Sequence, residues 1–228
     1  MTQEECLIDI SNTSVCIAIP CYSGSVPIET AVALSDTTSM LAHHGVTSVI
    51  MAERGNGLVT CVRNILLQKF LASDFEYIFW IDDDIIFSPD DFLRVFAYAT
   101  LNKNTAATYP TRTDIPKFYI TLIDDKYTFN EHGLLESKGL GLGFSCIHRS
   151  LLEDLVKTKE SYFTKEGTEI KDVFQIGAKN GEYFGEDINF FKDLYSIGYK
   201  TYIDTNIHLK HVGRKDYSAK LVLQNKEI

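Results

Sequence analysis

The chain has 228 residues, 45% apolar and 23% charged, a globular balance that excludes a largely disordered protein. A chain of this length buries about 70% of its unfolded surface, so its core needs no disulfide or structural metal to fold. With 22 basic against 31 acidic residues the formal charge is −9, which argues against a nucleic-acid or anionic-membrane partner. An anionic small molecule stays open, because a bound cation or a local basic cluster can reverse the field in one cleft.

The opening Met1-Thr2-Gln3-Glu4-Glu5-Cys6 is acidic and polar, unlike a targeting peptide. Val15-Cys16-Ile17-Ala18-Ile19 reads as a buried strand ending at Pro20, and Ile28 to His44 as a helix stopped by Gly45. Val46 to Ala52 is a second strand ending at Glu53, and Leu58 to Ala72 a long amphipathic helix. Tyr77 to Ile81 is a third strand running into Asp82-Asp83-Asp84. Ser88-Pro89-Asp90-Asp91 opens a helix with a serine cap, proline at the first helical position and acids in the first turn. Thr105 to Tyr109 reads as a fourth strand. Apolar strands alternating with helices predict an α/β fold around a mostly parallel sheet, with ligands at the carboxyl ends of the strands.

The second half reads differently. Lys117–Ile123 and Lys126–Asn130 flank Asp124-Asp125 as a hairpin, for which a turn is the expected role of the two acids. Gly139-Leu140-Gly141-Leu142-Gly143-Phe144 enters a strand, and Ser150-Leu151-Leu152-Glu153 is a capping box opening a helix to about Lys157. Phe163 to Ile176 has no clear period. Gly185-Glu186-Asp187 opens an amphipathic helix that stops at Gly198, and Thr201–Ile203 and Ile207–Val212 read as short strands. Five cysteines (6, 16, 21, 61 and 146) make no C-x-x-C pair, which predicts free thiols in a reducing compartment. Asn12-Thr13-Ser14 fits a glycosylation sequon, read as unused without a secretory leader. No apolar run approaches the roughly 18–20 residues of a membrane span. The expectation is one cytoplasmic domain over 1–228.

Asp82-Asp83-Asp84 is the most informative feature. An apolar, aromatic strand carries three adjacent carboxylates to the edge of a buried sheet, where they repel and lose hydration unless a cation or strong donors compensate. Strand alternation puts Asp82 and Asp84 on one side and Asp83 on the other, and two oxygen ligands facing one way suit Mg²⁺ or Mn²⁺. Helix capping is the competing role, but Ser88 already caps the next helix. Arg63 and Asn64 share a helix face with Thr60 and Leu67, opposite a core stripe of Val59, Val62, Leu66 and Phe70. Gly55-Asn56-Gly57 precedes that helix as a place for an anion, so Arg63 reads either as a phosphate contact or as a surface salt-bridge partner. Glu186 and Asp187 read either as first-turn dipole partners or as a general base. His208 and His211 fall on opposite faces of an extended stretch. They are not expected to share a metal, and His211, at a strand end, is the better ligand position.

Taken in order, Ile17-Ala18-Ile19-Pro20-Cys21-Tyr22, Val62-Arg63-Asn64, Ile81-Asp82-Asp83-Asp84-Ile85, Ala107-Thr108-Tyr109-Pro110, Gly141-Leu142-Gly143-Phe144, Gly185-Glu186-Asp187 and His211-Val212-Gly213 resemble a small nucleotide-sugar glycosyltransferase of the GT-A (Rossmann-like) fold with a DxD motif. The series spans about residues 15 to 215. It particularly resembles compact enzymes of large DNA viruses and phages, including those that build chlorella-virus capsid glycans, which would place the chain in the host cytoplasm. The resemblance implies a nucleotide-sugar-binding half over about 15–110 and an acceptor half over about 111–215. It implies a base pocket at Pro20 and Tyr22, an acid at Glu53 accepting the uracil N3–H, and Arg63 on the diphosphate or nucleotide. Asp82 would hold the ribose and the metal, with Asp83 also on the donor side. Asp84 would be the main ligand of Mn²⁺ or Mg²⁺, joined by His211. Asp187, with Glu186 as its understudy, would be the base of an inverting reaction. Tyr109, Arg112, Gly141 and Gly143 would face sugar and acceptor. The implied partners are a UDP-sugar donor and a glycan or glycoprotein acceptor.

Three other readings use some of the same residues. A haloacid-dehalogenase-like phosphatase also ends a strand in D-x-D, but usually the first strand, whereas about 65 residues of α/β pattern precede this one. A metal-dependent nucleotide-sugar-binding module would bind without turnover. A nucleotidyltransferase would carry a glycine-rich, arginine-bearing opening where this chain reads Pro20-Cys21-Tyr22-Ser23-Gly24.

Overall fold

The computed structural model describes residues 8–54, 57–179, 181–213 and 216–223. The opening hexapeptide, and Gly55 and Asn56 of the expected anion-binding turn, lie outside the described residues.

The first half follows the expected alternation: β1 (Ser14–Pro20), α1 (Ile28–His43), β2 (Thr47–Glu53), α2 (Val59–Leu71), β3 (Tyr77–Ile81), β4 (Ile85–Ile86), α3 (Pro89–Asn102) and β5 (Asn104–Ala106). The second half adds β6 (Ile120–Leu122), β7 (Leu135–Leu140), β8 (Phe144–His148), α4 (Arg149–Lys157), β9 (Ser161–Phe163) and β10 (Glu169–Lys171). It closes with β11 (Gly177–Lys179), β12 (Glu182–Phe184), α5 (Glu186–Ser196), β13 (Thr201–Ile203), β14 (Lys210–Val212) and β15 (Asp216–Ser218).

Eight strands form one mixed sheet in the order β2-β1-β3-β8-β5-β13-β7-β6, with β8 and β7 opposed to the other six. Three small antiparallel sheets lie outside it, β10-β9, β11-β12 and β15-β14-β4. The continuous apolar strands are explained by cover on both faces. Val15, Ile17 and Phe79 pack with Leu34 and Leu41 of α1 and Phe92, Val95 and Phe96 of α3. Cys16, Ala18, Ile78 and Trp80 pack on the other face with Leu66 and Phe70 of α2, Leu151 of α4 and Phe190 of α5.

Local signals hold at most boundaries. Gly45 and Gly198 end their helices with φ of 72° and 98°. Ser88 caps α3 as expected: the Asp91 amide donates to Ser88 Oγ at 3.2 Å and the Ser88 amide to Asp91 Oδ2 at 2.9 Å. The Ser150 box does not form. His148 caps α4 instead, its Nδ1 accepting from the Ser150 amide at 3.1 Å, because the helix starts two residues earlier than a Ser150 cap implies, at Arg149. Asp124 and Asp125 do make the turn, both at positive φ, but the hairpin is reduced to one bridge, Ile123 to Lys126. β6 takes β7 as its partner, because Leu135 and Leu140 of β7 are buried while the arm 126–129 is exposed. Gly141 and Gly143 lie in the loop between β7 and β8 rather than in a strand. The stretch without a clear period holds the β9–β10 hairpin. The described cysteines, Cys16, Cys21, Cys61 and Cys146, are free thiols, and no described helix is long and apolar enough to cross a membrane.

α2 buries more than the expected stripe. Asn64 is 2% exposed, and its Oδ1 accepts from the buried amides of Val173 and Phe174, each at 3.0 Å. That side chain ties the helix to the segment leading out of β10. Asn64→Ala leaves both amides without this acceptor and is expected to cost about 2–3 kcal/mol, read from urea unfolding midpoints. A loss within a few tenths of a kcal/mol would show that water replaces the amide there.

Candidate active site

The site begins where β3 leaves the sheet. Ile81 pairs with Phe144, and the Asp82 amide donates to the Gly143 carbonyl at 3.0 Å, so the glycine loop and the aspartate run share one sheet edge. The closeness requires glycine. A Cβ on Gly143 would fall 2.2 Å from Asp82 Oδ2, and one on Gly141 would fall 2.6 Å from the Tyr109 hydroxyl. Alternation separates the three acids as expected. Asp83 turns to Ser23, accepting from its amide at 3.0 Å and its hydroxyl at 2.8 Å, whereas Asp82 and Asp84 turn toward α2 and β14.

Arg63 lies beneath Asp82. It is 3% exposed, which rules out the surface salt bridge considered from spacing alone. Its Nη2 donates to Asp82 Oδ1 at 2.8 Å, and Glu186 Oε1 stands 3.6 Å from its Nε. Burial opposes the charge, but Asp82 and Glu186 outweigh it and hold the guanidinium above its ordinary pKa. Nε and Nη1 are buried and have no hydrogen-bond partner among the described residues. Nε is the atom that faces Glu186, so the guanidinium is held as a buried positive charge between two carboxylates rather than as a set of exposed donors. Burial raises the Asp82 carboxyl above its ordinary value although Arg63 opposes this. The Tyr109 hydroxyl donates to Asp82 Oδ2 at 3.4 Å and accepts from the Gly143 amide at 3.1 Å, and burial followed by Asp82 pushes the phenol well above its usual range.

Asp84 meets His211 because β4 pairs with β14: Ile85 faces His211, and the Val212 amide donates to the Asp84 carbonyl at 2.7 Å. His211 Nδ1 lies 2.8 Å from the Pro110 carbonyl, which can only accept, so Nδ1 carries a proton. Nε2 then faces Asp84 Oδ2 at 3.3 Å. A backbone carbonyl on Nδ1 is one way proteins orient a histidine whose Nε2 ligates a metal, and here it leaves Nε2 beside the Asp84 carboxylate. Asp84 and His211 therefore fit a divalent ion that completes its shell with water and phosphate oxygens. Asp82 has both oxygens engaged by Arg63 and Tyr109. Among the described residues no group of three or more His, Cys, Asp or Glu side chains is arranged to hold a metal by itself. His208 is exposed and apart from the site, as the alternation of Ile207 to Lys210 requires.

Two cavities share this edge. One, of about 420 Å³, is lined by Pro20, Tyr22, Arg63, the three aspartates and Glu186. The other, of about 670 Å³, is lined by Tyr119, Gly141, Tyr183, Phe184 and Asp187, and Tyr109, Arg112 and His211 border both. The first turn of α5 thus divides its acids, Glu186 to the smaller cavity and Asp187 to the larger. Burial, then Glu186, pushes the Asp187 carboxyl up to about 6 against the pull of Arg63.

Glu53 stands beside Pro20 in the β1–β2 register, but Lys69 takes its carboxylate at 2.5 Å and it lines neither cavity. Ser23, Tyr119 and Tyr183 border the cavities without having been singled out from sequence. Ser23 carries no signal beyond a strand-end turn, and the tyrosines lie in segments of weak period. Arg112, expected to face sugar and acceptor, borders both cavities and donates from Nη1 to Asp84 Oδ2 at 2.9 Å.

No protein-family model matches the chain, and no curated protein matches it. Among solved structures it is similar to GalNAc-T7 with UDP, GalNAc and Mn²⁺, at 12% identity and TM-score 0.47 over 89% of this chain and 44% of that one. It is similar to S. aureus TarS 1–349 in complex with UDP-GlcNAc, at 11% identity and TM-score 0.43 over 84% of this chain and 56% of that one. A third is 4-diphosphocytidyl-2C-methyl-D-erythritolsynthase from Anaerococcus prevotii, at 14% identity and TM-score 0.37 over 69% and 80%. The chain spans about half the length of the first two structures.

Proposed function

We propose that the chain is a metal-dependent glycosyltransferase of the GT-A type. It moves a sugar from a nucleoside-diphosphate sugar, UDP-linked by the resemblance of its motifs, to a hydroxyl of a glycan or glycoprotein-linked acceptor. The observation that carries this reading is the gathering on one cavity of Asp82, Asp83 and Asp84, the buried guanidinium of Arg63 paired with Asp82, and His211 beside Asp84.

The smaller cavity takes the donor. Pro20 and Tyr22 border the base, and Asp83 fixes Ser23 beside them. Arg63 sets a fixed positive charge beneath the diphosphate, while Asp82 and Glu186 hold its plane. Asp84 and His211 hold the divalent ion, which when bound supplies Lewis-acid stabilisation of the departing diphosphate. The acceptor enters the larger cavity. Asp187 removes the proton of its hydroxyl as that oxygen bonds to sugar C1 and the C1–O bond to the diphosphate breaks, with inversion. Negative charge grows on the diphosphate, where Arg63 already stands and needs no reorganisation. Glu186 faces the donor and Arg63, which favours Asp187 as the base.

The decisive experiment is a panel of nucleotide sugars with Mn²⁺, Mg²⁺ or EDTA, scored for released nucleotide and for the anomer formed. Metal-dependent release of nucleoside diphosphate with an inverted product is expected. Phosphate release from simple phosphoesters, or binding without turnover, would replace this reading with a phosphatase or a binding module.

Asp187→Asn is expected to lower transfer by on the order of 10²–10⁴-fold while donor affinity stays within a factor of about two. In the unmodified enzyme the rate should rise as pH passes through about 6 and then level, because the base works ionised. Stability moves the opposite way. A carboxyl whose pKa is raised by folding contributes stability that is complete below its unfolded pKa of about 4 and lost as pH rises through about 6. Asp187→Asn should therefore raise the unfolding temperature at pH 7.5 more than at pH 4. An equal shift at both pH values would place the carboxyl's titration elsewhere.

A further inference from the structure

Arg112 has a place in the site that the proposed reaction does not yet use. Its guanidinium occupies Asp84 Oδ2 at 2.9 Å, the oxygen that His211 Nε2 also approaches at 3.3 Å. A divalent ion held by Asp84 and His211 would need that oxygen, and a guanidinium beside it would repel the ion. At that oxygen the two cations would compete.

The surroundings are built for a side chain that moves on a fixed backbone. Thr111 closes the loop, its amide donating to the Lys117 carbonyl at 2.8 Å and its hydroxyl accepting from the Lys117 amide at 3.0 Å. Pro110, two residues before Arg112, holds His211 through its carbonyl. The Arg112 stem passes over Gly213, where a Cβ would fall 2.9 Å from Arg112 Cδ. The side chain is about half exposed, so its head can leave Asp84 without opening the core. It also borders both cavities.

Resting on the glycosyltransferase reading, we infer that Arg112 is an internal counter-cation of Asp84. It competes with the divalent ion for Asp84 Oδ2 and, once displaced, turns its guanidinium to the donor diphosphate. Four carboxylates, Asp82, Asp83, Asp84 and Glu186, outnumber the two arginines that line the smaller cavity, so added positive charge favours entry of a diphosphate. Arg112 holds Asp84 in place until the ion arrives. The displaced guanidinium then adds its donor fork to the buried charge of Arg63, which couples metal and donor binding.

The test is Mn²⁺ binding to the full chain without any nucleotide, followed by electron paramagnetic resonance of free Mn²⁺, and then UDP binding at saturating Mn²⁺. Arg112→Gln should tighten Mn²⁺ roughly tenfold and weaken UDP by a similar factor, with Arg112→Lys between it and the parent. Asp84→Asn should abolish Mn²⁺ binding. If Arg112→Gln leaves Mn²⁺ affinity unchanged or weaker while Asp84→Asn still abolishes binding, the competition is overturned and the metal site stands. If neither the parent nor Arg112→Gln binds Mn²⁺, the metal reading fails and the competition with it. Circular dichroism and the unfolding midpoint confirm that each variant is folded.

Discussion

The Arg63–Asp82 pair is the constraint on which the rest of the site depends. A guanidinium at the base of a sheet edge is tolerated only where carboxylates compensate its burial, and a carboxylate leaving an apolar strand is tolerated only where donors compensate its own. Each residue is the other's condition. The pair fixes the end of β3 over α2, and this sets where Tyr109, Gly143 and Glu186 lie. Gly143 has no freedom to be another residue, because the Asp82 carboxylate fills the space its side chain would need.

The two cavities follow from the topology. β8 runs against β3, so the loop entering β8 comes to the same edge that β3 leaves. β4 and β14 pair outside the main sheet and bring the last part of the described chain over the aspartates. The first turn of α5 then sits between the cavities and gives one acid to each. The net charge of the chain acquires a local meaning here. Four of its carboxylates, Asp82, Asp83, Asp84 and Glu186, stand around one buried guanidinium at a single sheet edge.

A good part of this was legible in the residues. The buried strands β1 and β3 are short apolar runs bounded by turn residues, and α3 announces its start through Ser88, Pro89 and Asp91. Asp82, Asp83 and Asp84 sit apart as strand alternation demands. What was not legible is non-local. Helical period placed Arg63 away from the core stripe, but it cannot show that a sheet edge covers that face. No spacing rule joins Arg112 to Asp84, which lie on different elements, or predicts that β8 inserts between β3 and β5. The Ser150 box failed because His148, just upstream, offers a ring nitrogen that a motif of hydroxyls and acids does not consider. The Asp124-Asp125 turn was right and its hairpin was not, because the buried residues of β7 make the better partner for β6.

The β4–β14 pairing has a consequence for how the site comes into being. Asp84 is held by β14 through the Val212 amide, and His211 reaches it across more than half of the chain. Contacts of such sequence separation are late and slow to close. During synthesis Arg63 and then the aspartates emerge well before Glu186 and His211. Until those last elements are made, Arg63 lacks its second carboxylate and Asp84 lacks the strand beside it, so the nascent protein spends its early life without a finished site.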